Sequence, residues 1–169
     1  MEVQEKARIQ LSCLACKNIN TKIKGKRYWK DELSPVLNQL YQADVLLIGS
    51  PIYYGEPTGM VRSTFPAMFY NDYTSVFEGK IDVGIILTMN VNEESYPSFY
   101  SKKMEEYFAP YRFLNGHTTI LTSCDTLQVD DYSRYEMKSF NEEHKKEHHA
   151  KQFPFDLKKA YDLGYQLCR

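Results

Sequence analysis

The pattern of hydrophobic positions predicts three strands that alternate with helices. Short apolar runs occur at Val45–Ile48, Ile81–Thr88 and Thr118–Ser123. Unbroken runs of this length are typical of strands covered on both faces, as in a parallel sheet. Pro51 has no backbone N–H for a strand ladder, so we expect the first strand to end there.

Apolar residues at helical spacing predict helices between and after these strands. The segments are Asp31–Gln42, Thr58–Phe69, Pro97–Phe108 and Phe153–Leu167. A weaker pattern at Val3–Leu11 predicts a further strand. Strands that alternate with helices indicate an α/β fold with a parallel sheet and covering helices.

The composition changes from Asp130 onward, where charged residues become dense. The charged segment is predicted to be a solvated helix or excursion, separate from a last amphipathic helix at Phe153–Leu167. The apolar side of that last helix is expected to comprise Phe155, Leu157, Ala160, Tyr161, Leu163, Gly164 and Leu167.

Length and charge restrict the class of protein. A chain of 169 residues without an internal repeat predicts a single domain, residues 1–169. The formal net charge of -1 gives no broad footprint for nucleic acid or an anionic membrane. The N-terminus lacks the apolar core of a signal peptide, and no apolar run approaches the roughly 20 residues that cross a bilayer. We therefore expect a cytoplasmic protein with reduced cysteines.

Two tyrosines follow the first buried strand. Tyr53 and Tyr54 come at its carboxyl end, where open α/β sheets bind ligands. Their aromatic faces favour a flat ligand that can stack. Packing of both rings on the loop is the alternative interpretation.

Cysteine and histidine pairs raise the question of a metal or redox site. Cys13 and Cys16 have the spacing of a redox pair or of two zinc ligands. A redox pair needs a thiol with a lowered pKa, and Lys17 is the only nearby residue in the sequence that would lower it. Zinc needs four ligands, and the other two cysteines are distant in sequence. His144 and His148 lie four residues apart, which permits metal binding. Their lysine and glutamate neighbours favour a solvated charged face instead, so no metal site is predicted.

The chain resembles a known family in several segments. Residues 50–65, SPIYYGEPTGMVRSTF, resemble the SPxYxGxxTGxxRSFxER segment of flavodoxin-like NAD(P)H-dependent oxidoreductases, which include FMN reductases and iron–sulfur flavoproteins. Further similar landmarks follow in order along the chain: Cys13–Lys17, Trp29–Leu33, Thr88–Val91, Asp125–Gln128, Asp131–Ser133, Phe140–His144 and Gln152–Pro154.

The resemblance implies a flavodoxin-like three-layer sandwich and an FMN-dependent activity. Electrons would pass from NAD(P)H through FMN to a quinone, another flavin or a similar acceptor. The cofactor carries that chemistry, so no residue is assigned as a catalytic acid, base or nucleophile. The implied cofactor-binding residues form two loops: Pro51, Ile52, Tyr53, Tyr54 and Gly55, and Thr88, Met89 and Asn90.

The chain departs from the family pattern at its start. The usual first strand, phosphate-binding loop and first helix are not recognisable, so the first β-α unit is expected to be missing and the FMN affinity reduced. A sheet opened in this way would expose backbone groups, which predicts a homodimer or higher homo-oligomer. Direct pairing of Val3–Leu11 beside Val45–Ile48 is the alternative. The rival functions are a flavin-free binding or structural protein and an ordinary flavoprotein with an upstream segment.

The cysteine pattern of iron–sulfur members is also incomplete. Gln10 and Arg27 occupy two of the four positions, and Cys13 and Cys16 occupy the others. A cluster needs about four thiolates. We therefore expect no iron–sulfur cluster.

Overall fold

The computed structural model describes residues 32–62, 77–136 and 140–169. Helix α1 (Leu33–Leu40) precedes strands β1 (Val45–Tyr53), β2 (Glu56–Pro57) and β3 (Ile81–Thr88). A helical run follows, composed of a π-helical turn (Pro97–Ser101), helix α2 (Lys102–Phe108) and a 3-10 turn (Ala109–Leu114). The chain continues with strand β4 (Asn115–Ser123), a 3-10 turn (Tyr132–Arg134) and helix α3 (Glu142–Leu167).

The four strands form one sheet in the order β2-β1-β3-β4. Strands β3 and β4 begin together, because the backbone of Ile81 lies against Gly116. They also end together, where Met89 N donates to Ser123 O at 3.0 Å. The two strands therefore run parallel.

Strand β1 enters the sheet in the same direction. Asp82 N donates to Asp44 O at 3.0 Å at the beginning of the two strands, and Leu47 faces Gly84 further along. Among the strands that the structure describes, only β2 runs antiparallel to its neighbour, with Ile52 opposite Pro57. The predicted α/β fold is thus confirmed, as a mixed sheet whose described strands are accompanied by helices.

The central core is built on β3. Its side chains at Ile81, Val83, Ile85 and Leu87 are at most 1 % exposed. Strand β1 is less well covered, since the side chain of Leu47 is 57 % exposed. The prediction that β1 is covered on both faces was therefore wrong for the described part of the chain.

Strand β1 also continues past the proline that was expected to end it. Pro51 lies inside β1, and the ladder extends to Ile52 and Tyr53 through their pairing with β2. Proline fixes φ near -65°, which extended backbone accommodates. Because proline has no N–H, it only fails to donate one hydrogen bond to a neighbouring strand. The short antiparallel partner makes the longer strand possible.

The last helix begins eleven residues before the predicted start at Phe153. Helix α3 starts at Glu142, where the side chain of Asn141 accepts a hydrogen bond from His144 N at 3.1 Å. Glu142 and Glu143 occupy the first turn, where the helix dipole favours acids. The charged segment from His144 is thus part of the helix, and Pro154 lies in its interior.

The apolar side of α3 also differs from the prediction. Leu163 is buried, but Phe155, Leu157 and Tyr161 are exposed. The buried face instead includes two polar residues, Lys145 and Asp156. Sequence hydropathy therefore identified only part of the packed face.

The described residues divide into two compact units. One contains residues 32–46, 58–62, 77–83 and 110–118, and the other contains residues 47–57, 84–109, 119–136 and 140–169. In the first unit, Asn115 Nδ2 donates to Phe77 O at 2.6 Å and to Gly79 O at 3.0 Å. The single domain spanning residues 1–169 stays a prediction.

Other expected elements are described in part. The helix predicted for Pro97–Phe108 is present, and residues 59–62 are helical. The remainder of the helix predicted for Thr58–Phe69, and the strand predicted for Val3–Leu11, lie outside the described residues. Among the helices that the structure describes, none has the length and apolar character needed to cross a membrane.

Candidate functional site

The carboxyl ends of β1, β3 and β4 carry the candidate site. Both predicted loops and the loop after β4 belong to the second compact unit. The parallel strands bring these carboxyl ends to one edge of the sheet, where open α/β folds bind ligands. Pro51 and Ile52 lie at the end of β1 itself and are half-buried.

Tyr53 and Tyr54 present their rings to solvent at this edge. The side chain of Tyr53 is 63 % exposed, and that of Tyr54 is fully exposed. Tyr54 adopts a left-handed backbone with φ 51°, which is uncommon for a bulky residue. Neither ring packs on the loop in the way that the alternative interpretation required. An exposed aromatic ring on strained backbone is typical of a functional site.

The turn after Tyr54 depends on glycine. Gly55 has φ 75°, and a Cβ at this position would lie 2.8 Å from the ring of Tyr100. The next residue, Glu56, forms an ion pair with Lys103 at 2.5 Å. The aromatic loop is therefore held against the helical run that follows β3.

The loop after β3 is fixed from the side of β4. Met89 is buried, whereas Thr88 and Asn90 are exposed. Met89 O accepts hydrogen bonds from Thr126 N and Thr126 Oγ1, each at 3.1 Å. These hydrogen bonds fix the backbone of Met89, and with it the positions of the exposed Thr88 and Asn90 at the edge of the sheet.

Asp125 is the charged centre of the loop after β4. Its backbone is left-handed, with φ 49°, and its N–H donates to Val91 O at 2.8 Å. The buried carboxylate accepts from Lys145 Nζ and contacts His144 Nε2 at 2.6 Å. Burial alone would raise the pKa of Asp125, but the hydrogen bonds from Lys145 and His144 outweigh it and lower the pKa.

Lys145 joins the two loops to α3. It is only 4 % exposed, and its Nζ donates to Asn90 Oδ1 at 2.5 Å as well as to Asp125 Oδ1. A third contact joins Nζ to the backbone oxygen of Asn90 at 3.5 Å, so one buried ammonium fixes the relative position of the loops after β3 and β4. The prediction of a solvated charged face was therefore wrong for this residue.

The two histidines that suggested a metal lie beside the same loops. His144 faces Asp125, and His148 Nε2 lies 3.2 Å from Glu93 Oε1. Within the described ranges, no group of three or more acidic, histidine or cysteine side chains could hold a metal ion. The histidines instead contact acidic residues at the sheet edge.

The cysteines within the described ranges differ in exposure. Cys124 is buried, and its burial raises the pKa of the thiol to about 11, so the thiolate form is disfavoured at neutral pH. Cys168 is exposed. Cys13, Cys16, Gln10 and Arg27 lie outside the described residues, so the expectation about the iron–sulfur cluster stays a prediction.

The sequence reasoning missed the residues that organise this edge. In the sequence, Asp125 is only a family landmark, Lys145 is only part of the charged segment, and His144 is a landmark and one of two histidines with metal-binding spacing. One signal was available, because Asn141 followed by two glutamates is a helix start. A helix starting there places Lys145 and His148 in its first two turns.

Comparison with known proteins gives partial similarity. No family model matches the chain. The chain is 38% identical over 48 residues to an iron–sulfur flavoprotein from Archaeoglobus fulgidus, which covers 28% of this chain and 24% of that protein. The matched segment thus spans about a quarter of the curated relative's length.

One solved structure also has a partly similar arrangement of elements. It is an NADPH-quinone reductase from P. pentosaceus, with a TM-score of 0.45 and 11% sequence identity. The alignment covers 79% of this chain and 81% of that structure.

Proposed function

We propose that this chain binds FMN at the carboxyl edge of its sheet and acts as an NAD(P)H-dependent oxidoreductase. The observation that carries the proposal is the solvent-facing ring of Tyr54 on left-handed backbone. It lies on the same edge of the sheet as the exposed loop at Thr88 and Asn90. The partial similarity to an iron–sulfur flavoprotein supports a flavin as the ligand.

The residues present fit such a cofactor. An isoalloxazine ring needs an aromatic or apolar surface for its face and hydrogen-bonding groups for its edge. The first loop, Pro51–Gly55, offers two exposed tyrosine rings, and the second, Thr88–Asn90, offers exposed polar groups. Stacking of one aromatic pair contributes about 0.5–1.5 kcal/mol beyond burial.

The protein groups would bind and orient, and the cofactor would carry the redox chemistry. FMN, when bound, would accept a hydride from NAD(P)H and pass the electrons to a quinone, another flavin or a similar acceptor. Tyr53 and Tyr54 would cover the ring and exclude water from one face. The loop at Asn90 would direct hydrogen bonds to its edge.

Titration of the purified chain with FMN tests this proposal. We expect saturable quenching of flavin fluorescence. Riboflavin should bind equally well if the phosphate group makes no specific contact. A colourless preparation that takes up neither flavin would contradict the proposal and support the flavin-free binding protein.

A variant of Tyr54 tests the stacking role. Asparagine tolerates left-handed backbone, so Tyr54→Asn removes the ring without adding backbone strain. We expect flavin binding to weaken about 3- to 10-fold, the equivalent of the stacking free energy. Tyr135→Asn, which removes an exposed ring outside both loops, is the matched control and should bind flavin like the wild-type chain. Equal loss in both variants would argue against a specific role for Tyr54.

A further inference from the structure

Lys145 occupies a position that is unfavourable for a cation. It is the fourth residue of α3, close to the helix N-terminus, where the helix dipole favours negative charge. It is also buried, and removing an ammonium from water costs several kcal/mol unless it is paired. Its acceptors lie on two loops at the candidate site rather than within its own helix.

The contact with Lys145 determines the orientation of the Asn90 amide. An ammonium carries donors only, so the amide atom that faces Lys145 Nζ at 2.5 Å must be the oxygen. The amide NH2 of Asn90 is then directed away from Lys145. Asn90 is exposed, and no hydrogen bond within residues 32–62, 77–136 and 140–169 engages its Nδ2.

Asp125 holds the ammonium of Lys145 in place beside Asn90. Its Oδ1 accepts from Lys145, and its Oδ2 contacts His144 at 2.6 Å. The backbone N–H of Asp125 is bonded to Val91 O, one residue after Asn90. The carboxylate, the ammonium and the Asn90 loop therefore form one connected arrangement.

We infer that Lys145 is a positioning residue that turns the NH2 group of Asn90 outward, so that it donates to a carbonyl oxygen on the edge of a flat ring ligand. This inference rests on the proposed function and specifies its recognition chemistry. The site selects a ring edge that presents hydrogen-bond acceptors. A ring edge that presents only donors cannot accept a hydrogen bond from this NH2 group.

The first experiment measures Asn90 without any ligand. The side-chain amide signal of Asn90 in the NMR spectrum of the free chain is assigned from its absence in Asn90→Asp. We expect a rigid amide in the wild-type chain and a mobile one in Lys145→Met. Lys146→Met removes the neighbouring exposed lysine and its pairing with Glu142, and it should leave the Asn90 amide rigid. An amide that is equally rigid in Lys145→Met would overturn the positioning role.

The second experiment titrates the same variants with FMN and riboflavin. We expect binding to be about 3- to 10-fold weaker in Lys145→Met and unchanged in Lys146→Met, since one hydrogen bond contributes an effect of this size. Asn90→Asp keeps an acceptor for Lys145 but has no NH2 donor, so it should weaken binding at least about 10-fold. Unchanged affinity in Asn90→Asp would overturn the inference, even if Lys145→Met did not fold.

The two experiments separate the inference from the proposed function. If the wild-type chain binds neither flavin, the proposed function fails, and the amide measurement alone decides the role of Lys145. If flavin binds equally to the wild-type chain and to a Lys145→Met variant with a mobile amide, the inference fails and the proposed function stands.

Discussion

Replacement of Asp125 by asparagine should destabilise the chain through the buried charge of Lys145. Asparagine has nearly the same shape and tolerates the left-handed backbone that Asp125 adopts, so the substitution removes the negative charge and replaces one acceptor oxygen by an NH2 donor. Lys145 would keep Asn90 Oδ1 as an acceptor but lose its counter-charge. Removing one partner of a buried ion pair typically costs 3–5 kcal/mol. We expect about 3 kcal/mol, because the amide oxygen can still accept from Lys145.

A double-mutant cycle in urea measures this effect. Asp125→Asn, Lys145→Met and the double variant are unfolded at neutral pH, and the free energies of unfolding are compared with the wild-type value. We expect the double variant to be more stable than the sum of the single changes predicts, by about 2 kcal/mol, since it leaves no unpaired buried charge. Glu147→Gln is the control, because it removes an exposed pair with Lys151 and should leave the unfolding midpoint unchanged.

The pH dependence provides a second test of the same pair. The pKa of Asp125 is lower in the folded chain than its ordinary value of 3.8. Its carboxylate therefore contributes stability above pH 3.8, and this contribution is lost as the pH falls through the lower folded value. Asp125→Asn should show a smaller decrease of stability over that acidic range. The reasoning is refuted if the free-energy changes of the two single variants add up in the double variant and Asp125→Asn leaves the acid dependence of stability unaltered.

Three further predictions concern packing, buried polar groups and assembly. Gly116→Ala should cost about 3 kcal/mol or more in unfolding free energy, because its Cβ would lie 2.0 Å from the backbone oxygen of Ile81. Gly164→Ala, whose Cβ would have no atom within 4 Å, should stabilise α3 by about 0.5–1 kcal/mol. Urea unfolding measures both variants, and equal effects would contradict the packing. Ser123→Ala should cost about 2 kcal/mol, since Ser123 Oγ donates to the buried Asp156 at 2.7 Å. Ser101→Ala serves as its control, because it loses a solvent-exposed hydrogen bond to Glu105. We expect a homodimer or higher oligomer by light scattering, with Leu157→Lys shifting it toward monomer, because Leu157 and Tyr161 of α3 are exposed; a monomeric wild-type chain would contradict this expectation.

The sequence was sufficient to predict that strands exist at β1, β3 and β4 and that they end at one edge of the sheet. The run at Ile81–Thr88 matches β3 residue for residue, because four branched or long apolar side chains at alternate positions have no other stable location than the core. The extension of β1 through Pro51 was not predictable in this way. It depends on a two-residue pairing with β2, which has no hydrophobic pattern of its own.

The polar part of the site was harder to predict. Lys145 lies in a segment rich in lysine and glutamate that the sequence indicates to be solvated, and only the three-dimensional approach of Asn90 and Asp125 explains its burial. Hydropathy assigns a lysine to the surface and cannot anticipate acceptors from loops 20 and 55 residues away. The helix cap at Asn141 was the local signal that would have extended α3 to include it.

Pro154 has a consequence for how this molecule can be altered. A proline has no N–H, so the carbonyl oxygen of Ala150 loses its usual helical donor, and the ring disturbs the turn before it. The stretch before Pro154 carries His144 and Lys145, whereas the stretch after it carries Asp156 and Leu163. The proline therefore marks a boundary at which protein engineering could exchange the half of the helix that carries His144 and Lys145 and retain the half that carries Asp156 and Leu163.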